Sequence, residues 1–340
     1  CLVGSEMCIR DSYKNLWLAD GTGAPLRKCA VLTEGAEVRA IEPAITASAA
    51  DRTLDLGGRI LAPGFIDVHG HSDLSILARP EGFGKISQGV VSEIAGNCGL
   101  SAFPVTRFNR AHLNELYRQY GVEIDWDDYS GWRAALARRG VKLKMHALCG
   151  HNTLRAAVAG YEQAGLSGPE LDEMARLLDR MLEQGVPGLS TGLLYVPGKF
   201  ADSDEIVFLM KRLAARGALY ATHLRSEGSE LLESLSETVE CARRAGLNRL
   251  QISHFKTAGC ANWSKLDAAL ALLEAARQDG VGLSVDRYPY TESMTQLSVI
   301  LPGEWGDLDD ETIERRLADP AEQQALETAL DESRSSEYWR

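Results

Sequence analysis

From Arg59 onward, short runs of nearly unbroken apolar residues alternate with segments whose apolar positions recur at helical spacing and stop at a glycine. This is the pattern of repeated strand and helix units, in which helices cover a parallel sheet and leave its strands no polar face. Seven strands are predicted: Gly64 to His71, Val90 to Asn97, Leu143 to His151, Pro187 to Leu193, Leu219 to Arg225, Leu250 to Lys256 and Leu283 to Tyr290. Between them, Leu171, Met174, Leu177, Leu178 and Met181 form one apolar helical stripe, with Pro169 near its start and Gly185 at its stop. Leu231, Leu235, Val239 and Ala242 form a second stripe ended by Gly246, and Leu266, Leu270 and Leu273 form a third that runs to Gly280. The expected fold class is α/β, a (β/α)8 TIM-type barrel. It is expected to be truncated before the eighth strand, because the stretch after Pro302 is a polar, acidic, helical pattern.

The residues before Arg59 have another rhythm. From Tyr13 to Leu56, short β-prone runs (LWLAD, KCAVL, EVRAIEP, RTLDL) are broken by Gly, Pro and Ala-rich turns, which predicts a small, incomplete β-domain over 13–58. Residues 1–12, CLVGSEMCIRDS, match neither a signal peptide nor the strands that follow. They resemble translated sequencing-adapter sequence and are read as a non-native leader. The barrel is then expected over 59–302, and 303–340 as the start of a helical insertion at which the chain is cut.

Charge narrows the partners. Lys and Arg total 36 against 48 Asp and Glu, and a net charge of −12 opposes binding to a phosphate backbone or an anionic membrane surface. No stretch approaches the roughly 20 apolar residues of a spanning helix, and no secretory pattern opens the chain, so a cytoplasmic location is expected. The seven cysteines are scattered and odd in number, unlike a disulfide framework, and are read as reduced. The expected partner is a small molecule, with neither nucleic acid nor membrane. Oligomeric state is not legible.

Active sites of parallel barrels lie at the C-terminal ends of the strands, which makes the polar residues there informative. Strand one ends in Asp67-Val68-His69-Gly70-His71, and alternation with period two sends both imidazoles to one side. Strand two ends in Gly96-Asn97-Cys98, strand five carries His223, and strand six carries His254. A single histidine is most often a core or surface residue, and a buried cysteine is most often a small hydrophobe. Four of seven histidines converging with one cysteine from four strand ends instead make a ligand set that suits zinc. Asp67 and Asp73 read as supports around the HxH motif.

Eight segments, in order between Ala19 and Ser298, also resemble a known family: ADGTGAP, LAPGFIDVHGHSD, SEIAGNCGLSAFP, GHNTLR, GLSTGLLYVPGKFA, ATHLRSEG, QISHFKTAG and DRYPYTESMTQLS. They are similar to the N-acyl-D-amino-acid deacylases (D-aminoacylases) of the amidohydrolase superfamily. HxH is common to other amidohydrolases, whereas the Gly-Asn-Cys-Gly and Gly-Leu-Ser-Thr-Gly-Leu blocks are what narrow the resemblance. It implies zinc-dependent hydrolysis of the amide bond of N-acyl-D-amino acids, giving a carboxylate and a free D-amino acid; the D-stereochemistry rests on the resemblance alone. It further implies that Cys98, His223 and His254 hold one tight zinc and that His69 and His71 contribute to a second, weaker position. Lys256 would contact the substrate carboxylate, Tyr195 would line the side-chain pocket, and the stretch from Tyr288 to Ser293 would add contacts. Without the resemblance, Lys256 reads equally as a solvated lysine and Tyr195 as core packing. Strand four offers Ser190 and Thr191 but no Lys or Glu to bridge two metals, which disfavours a hydantoinase-like centre.

The family's general acid/base is an aspartate at the end of the eighth strand, so no catalytic residue is assigned within this chain and the fragment is expected to be impaired. Asp286 is the nearest substitute, but it reads as a supporting or structural residue. Alternatives stay open: an N-acyl-D-glutamate-preferring or dihydroorotase-like amidohydrolase, with Arg225 or Arg287 facing a substrate side-chain carboxylate, or a zinc-stabilised scaffold without catalysis.

Overall fold

The computed structural model describes residues 9–46, 49–161, 165–295, 301, 302, 305, 308 and 310–333. The chain divides into two compact units, 1–65 and 66–340. In the first, β1 (Arg10–Leu18) pairs antiparallel with β2 (Arg27–Glu34), which pairs antiparallel with β3 (Glu37–Glu42). β1 also runs parallel to β4 (Arg52–Asp55) and to β5 (Ile60–Leu61). Alternate residues of β1 and β2 (Leu16, Leu18, Cys29 and Val31) bury a small core, as period-two side chains on a half-covered sheet must. The sheet takes in the last residues of the expected leader. Arg10, Asp11 and Ser12 pair with Glu34, Thr33 and Leu32, and Asp11 holds Arg52 at 2.8 Å, so the sheet starts three residues before Tyr13. The rest of the proposed leader, 1–8, lies outside the described residues.

The second unit alternates strands with helices. Its strands are β6 (Phe65–Asp67), β7 (Val90–Ala95), β8 (Lys144–Ala147), β9 (Cys149–Gly150), β10 (Gly188–Gly192), β11 (Leu219–His223), β12 (Leu250–Ile252) and β13 (Leu283–Val285). They follow chain order in space, β6-β7-β8 in one sheet and β9 through β13 in the other, with parallel pairing from β7 to β8 and from β9 to β13. All seven predicted strands are present but shorter than their apolar runs. The third is split at Leu148, whose N–H still donates to Ala95 (2.9 Å) while Cys149 already pairs with Leu189, so one run of sequence serves both sheets.

The helices are α1 (Ser75–Ala78), α2 (Phe83–Ile86), α3 (Arg110–Leu116), α4 (Tyr129–Arg139), α5 (His151–Ala159), α6 (Gly168–Glu183), α7 (Ser203–Arg216), α8 (Leu231–Ala245), α9 (Leu266–Gln278), α10 (Asp310–Leu317) and α11 (Pro320–Ser333). None of the described helices is long and apolar enough to cross a membrane. The stripes of α6 and α8 face the core: Met174, Leu177, Leu178 and Met181 are buried, as are Leu231, Leu235, Val239 and Ala242. At about 1.5–3 kcal/mol for each large apolar side chain, these faces hold the helices down. α9 departs from its expected stripe. It buries Ala269, Leu273 and Ala276 and leaves Leu266 and Leu270 exposed, because the two alanines let the backbone approach its neighbours on that face. The strands at the ends of the series, β6 and β13, carry exposed Ile66 and Val285.

Caps set several helix ends. Asp128 accepts from Gly131 N–H at 2.9 Å at the start of α4, and its second oxygen takes Gln184 Nε2 at 2.8 Å. Asp128→Ala is expected to cost about 1 kcal/mol, read as a lower urea midpoint at unchanged slope.

Candidate metal centre

Each ligand candidate sits where a strand gives way to a loop: His69 and His71 after β6, Cys98 after β7, His223 at the end of β11, and His254 just past β12. The HxH rings stay neighbours, with centroids 5.4 Å apart. Cys98 is the shared member. Its Sγ lies 3.4 Å from His69 Nε2 and 3.4 Å from His254 Nε2. The donors form two overlapping groups, His69, His71 and Cys98, and Cys98, His223 and His254, each within 4.8 Å. All members of the second are buried, whereas the first opens to solvent through His71.

The backbone is bent to make this possible. Cys98 (φ 53°) and His254 (φ 35°) adopt left-handed conformations, each costing about 1–3 kcal/mol for a residue with a Cβ, and such strain collects at functional sites. Beside Cys98, a Cβ on Gly96 would lie 2.2 Å from the Leu148 carbonyl oxygen, so the turn rests directly on the strand backbone. Between the two HxH rings, a Cβ on Gly70 would lie 1.9 Å from Glu93 Oε1.

That Glu93 is fully buried in β7. It accepts from the Ser72 hydroxyl (2.6 Å) and N–H (3.2 Å) and pairs with Lys85 at 3.0 Å. Lys85 also pairs with Asp67, which accepts from His69 N–H at 3.1 Å. Asp67 thus supports the HxH segment as expected. Asp73 does not: its Oδ2 is buried without a hydrogen-bond partner and burial raises its pKa to about 7. Its backbone N–H and that of Ala102 meet the carboxyl group, and its backbone oxygen accepts from Trp132 Nε1 at 2.8 Å.

Asp286 sits beside the ligand candidates. One oxygen meets His69 Nδ1 at 3.0 Å and His254 N–H at 2.7 Å, and the other takes Gln251 Nε2 at 2.7 Å. Burial opposes its ionisation, but the His69 hydrogen bond and charge and the other donors outweigh it and hold the carboxyl below the usual range. Such a group orients His69, with Nε2 toward Cys98, and is a poor proton carrier near neutrality.

On the other side, Glu227 is buried beside His254 and Lys256. Oε1 lies 2.8 Å from His254 Nδ1, Oε2 pairs with Lys256 Nζ, and His223 Nε2 is 3.7 Å from Oε2. Neither Glu93 nor Glu227 was singled out from sequence, although a charge inside the apolar run VVSEIA and a glutamate four residues after His223 were available signals.

The donor set passes a direct test of fit. Burial drives the His223 pKa down to about 3, so the ring is neutral, and both its nitrogens are buried without a hydrogen-bond partner. Burial and the nearby Glu227 push the Cys98 thiol up. Stranded buried nitrogens beside a buried sulfur are costly unless a cation takes their lone pairs, and soft sulfur with imidazole is a zinc set.

Around the cluster, Tyr195 packs edge-on to His223 at 4.9 Å between centroids, with its hydroxyl 3.0 Å from Thr295 Oγ1. Tyr288 lies 6.4 Å from the His254 ring, and Lys256 Nζ sits 5.7 Å over the Tyr288 ring. Arg287 stacks over the same Tyr288 ring, 4.3 Å from its centroid. Arg225 is not delivered to a substrate: it pairs with Glu237 at 3.1 Å and donates to the carbonyls of Lys199 (3.1 Å) and Ala201 (3.0 Å), which spends its fork on the loop before α7. Ser293 is exposed, and among the described residues no contact links it to the cluster. Ser190 is structural, donating to Gly96 O (2.5 Å) and accepting from Gly99 N–H (3.0 Å), and Thr191 bonds Thr222 at 2.8 Å.

The scaffold is parallel α/β with histidines and a cysteine at four of its strand ends, and the profile of the amidohydrolase family matches residues 52–329. The chain belongs to that family. It is 39% identical over 295 residues to an N-acyl-D-glutamate deacylase of Alcaligenes xylosoxydans xylosoxydans, covering 86% of this chain and 59% of the relative. It is 35% identical over 291 residues to a D-aminoacylase of the same organism, covering 84% and 59%. Among solved structures, N-acyl-D-glutamate deacylase from Bordetella bronchiseptica, complexed with zinc and a phosphonate mimic of the tetrahedral intermediate, superposes with a TM-score of 0.76 at 34% identity, covering 83% of this chain and 59% of that one. The chain therefore spans about three fifths of the length of these relatives.

Proposed function

We propose that this protein hydrolyses the amide bond of N-acyl-D-amino acids with zinc, releasing a carboxylate and a free D-amino acid. The observation that carries the reading is Cys98 shared between two three-donor groups, one buried and one open to solvent, beside the cationic Lys256. Cys98, His223 and His254 would hold the tight zinc, and His69, His71 and Cys98 the weaker one. When bound, zinc supplies a Lewis acid and lowers the pKa of water towards roughly 7. The chain's own groups do the rest. Lys256 draws the substrate carboxylate to the rim, Tyr195 and Tyr288 bound the acyl amino acid on the two sides of His223 and His254, and Asp286 and Glu227 keep the ligand rings turned inward. The seven strands are proposed to belong to a (β/α) barrel whose eighth strand, with the general acid/base, lies outside the described residues. The hydrogen bonds of Asp286 to His69, His254 and Gln251 support a positioning part for it instead.

Among acyl amino acids, N-acyl-D-glutamate is the second reading. With Arg225 committed to Glu237, Arg287 over Tyr288 is the basic group placed to meet a side-chain carboxylate.

The test is hydrolysis of N-acetyl-D- and L-amino acids, zinc supplied, by this chain and by a version extended through an eighth strand taken from the N-acyl-D-glutamate deacylase relative. Cleavage of D-substrates by the extended version alone is the expected result. Equal cleavage by both would place the acid/base within these residues and overturn the eighth-strand assignment. Cleavage by neither zinc-loaded protein, or a preference for L-substrates, would overturn the substrate class.

A further inference from the structure

Glu227 stands in the loop between β11 and α8 and is 3% exposed, yet both its oxygens are used by residues of the β12 end. Its backbone is tied to the same place, since Ala258 N–H donates to Glu227 O at 2.8 Å. Lys265 Nζ, 3.1 Å from the Gly228 carbonyl, holds the next residue of the loop. One side chain thus contacts a ligand candidate with one oxygen and the substrate-side lysine with the other. Lys256 Nζ is itself 3.0 Å from His254 Nδ1, so imidazole and ammonium crowd against the one carboxylate.

We propose that Glu227 is a positioning residue that serves as the common counter-ion of His254 and Lys256, coupling the metal side of the site to its carboxylate-binding side. The physical case has three parts. A carboxylate 2.8 Å from Nδ1 favours the tautomer with the proton on Nδ1, which leaves the Nε2 lone pair directed toward Cys98 Sγ. The left-handed backbone at His254 is strained, and a bond from outside its own strand holds the ring in place. An ammonium this close to a metal ligand would repel a divalent ion, and the charge of Glu227 offsets it in a poorly solvated site. The inference rests on the function proposed above for zinc at His254 and for what Lys256 binds, and its zinc readout is independent of the substrate.

The test reads zinc affinity by competition with a chromophoric chelator, in the absence of substrate. Glu227→Gln is expected to weaken zinc binding about 10–100-fold, the range for losing a carboxylate behind a ligating histidine. Lys256→Met is expected to tighten it about threefold or more, because a neighbouring cation is gone and Glu227 is left to His254 alone. In the Glu227→Gln background the Lys256→Met gain is expected to shrink, since no shared charge remains to be released. A Glu227→Gln protein that binds zinc within about twofold of the parent, or a Lys256→Met gain equal in both backgrounds, would overturn the proposal. Should Glu227→Gln fail to fold, Lys256→Met alone decides it, and unchanged zinc affinity in that variant counts against coupling. A protein inactive on every acyl amino acid that still shows these zinc shifts would refute the substrate reading and leave the inference standing.

Discussion

In the version extended through the eighth strand, Cys98→Ala is expected to lower both zinc retention and turnover by at least about 1000-fold, a loss of several kcal/mol of transition-state stabilisation. The size follows from the geometry: Cys98 is the one donor common to both groups, so its loss leaves each with only two histidines. It is also the only donor in the cluster able to supply negative charge to a dication. Because alanine keeps the Cβ, the strain at φ 53° is unchanged, and the variant isolates the sulfur from the backbone. Zinc content after dialysis against a weak chelator, rates on N-acetyl-D-amino acids and thermal melting separate the effects. Full zinc retention with parental rates would remove Cys98 from the centre.

Glu205→Ala is expected to destabilise the fold by about 3–5 kcal/mol, the cost of removing one member of a buried ion pair. Glu205, in the first turn of α7, lies 2.7 Å from His151 Nε2 and 3.2 Å from Arg155 Nε, and both partners, on α5, are fully buried. Without the carboxylate, Arg155 loses its acidic partner in a medium that cannot hydrate it. Burial raises the Glu205 pKa, but the hydrogen bond and charge of His151 and the charge of Arg155 outweigh it, so the folded value lies below the ordinary 4.5. A depressed pKa stabilises the fold fully above that ordinary value and progressively less as the pH falls through the folded value. Acid unfolding of the parent should therefore include a component below pH 4.5 that Glu205→Ala lacks. Urea titrations at neutral pH and near pH 4 measure both effects; a neutral-pH loss under about 1 kcal/mol would show that the pair contributes little.

Much of this architecture is legible without coordinates. Apolar periodicity located the seven runs that form the described strands β6 to β13 and the buried faces of α6 and α8, because burial of an amphipathic face is a local property of spacing. The third stripe misled for an instructive reason. Leu266 and Leu270 have the spacing of a core face, but α9 turns its small residues inward, and only packing density decides which of two candidate faces fits.

For the site, the five residues whose donor atoms cluster were legible in the sequence alone, since donor chemistry and strand-end position are both written in residue type and order. Tertiary structure alone decided what surrounds them. It assigned Asp286 to His69 and His254, spent Arg225 on Glu237, left Asp73 without a role at the HxH motif, and brought Glu93 and Glu227 beneath residues far away in the chain. The reason is physical: a ligand is defined by its own donor atom, whereas a supporting carboxylate is defined by which donors fall within about 3 Å of it, and that distance exists only once distant strands have packed together.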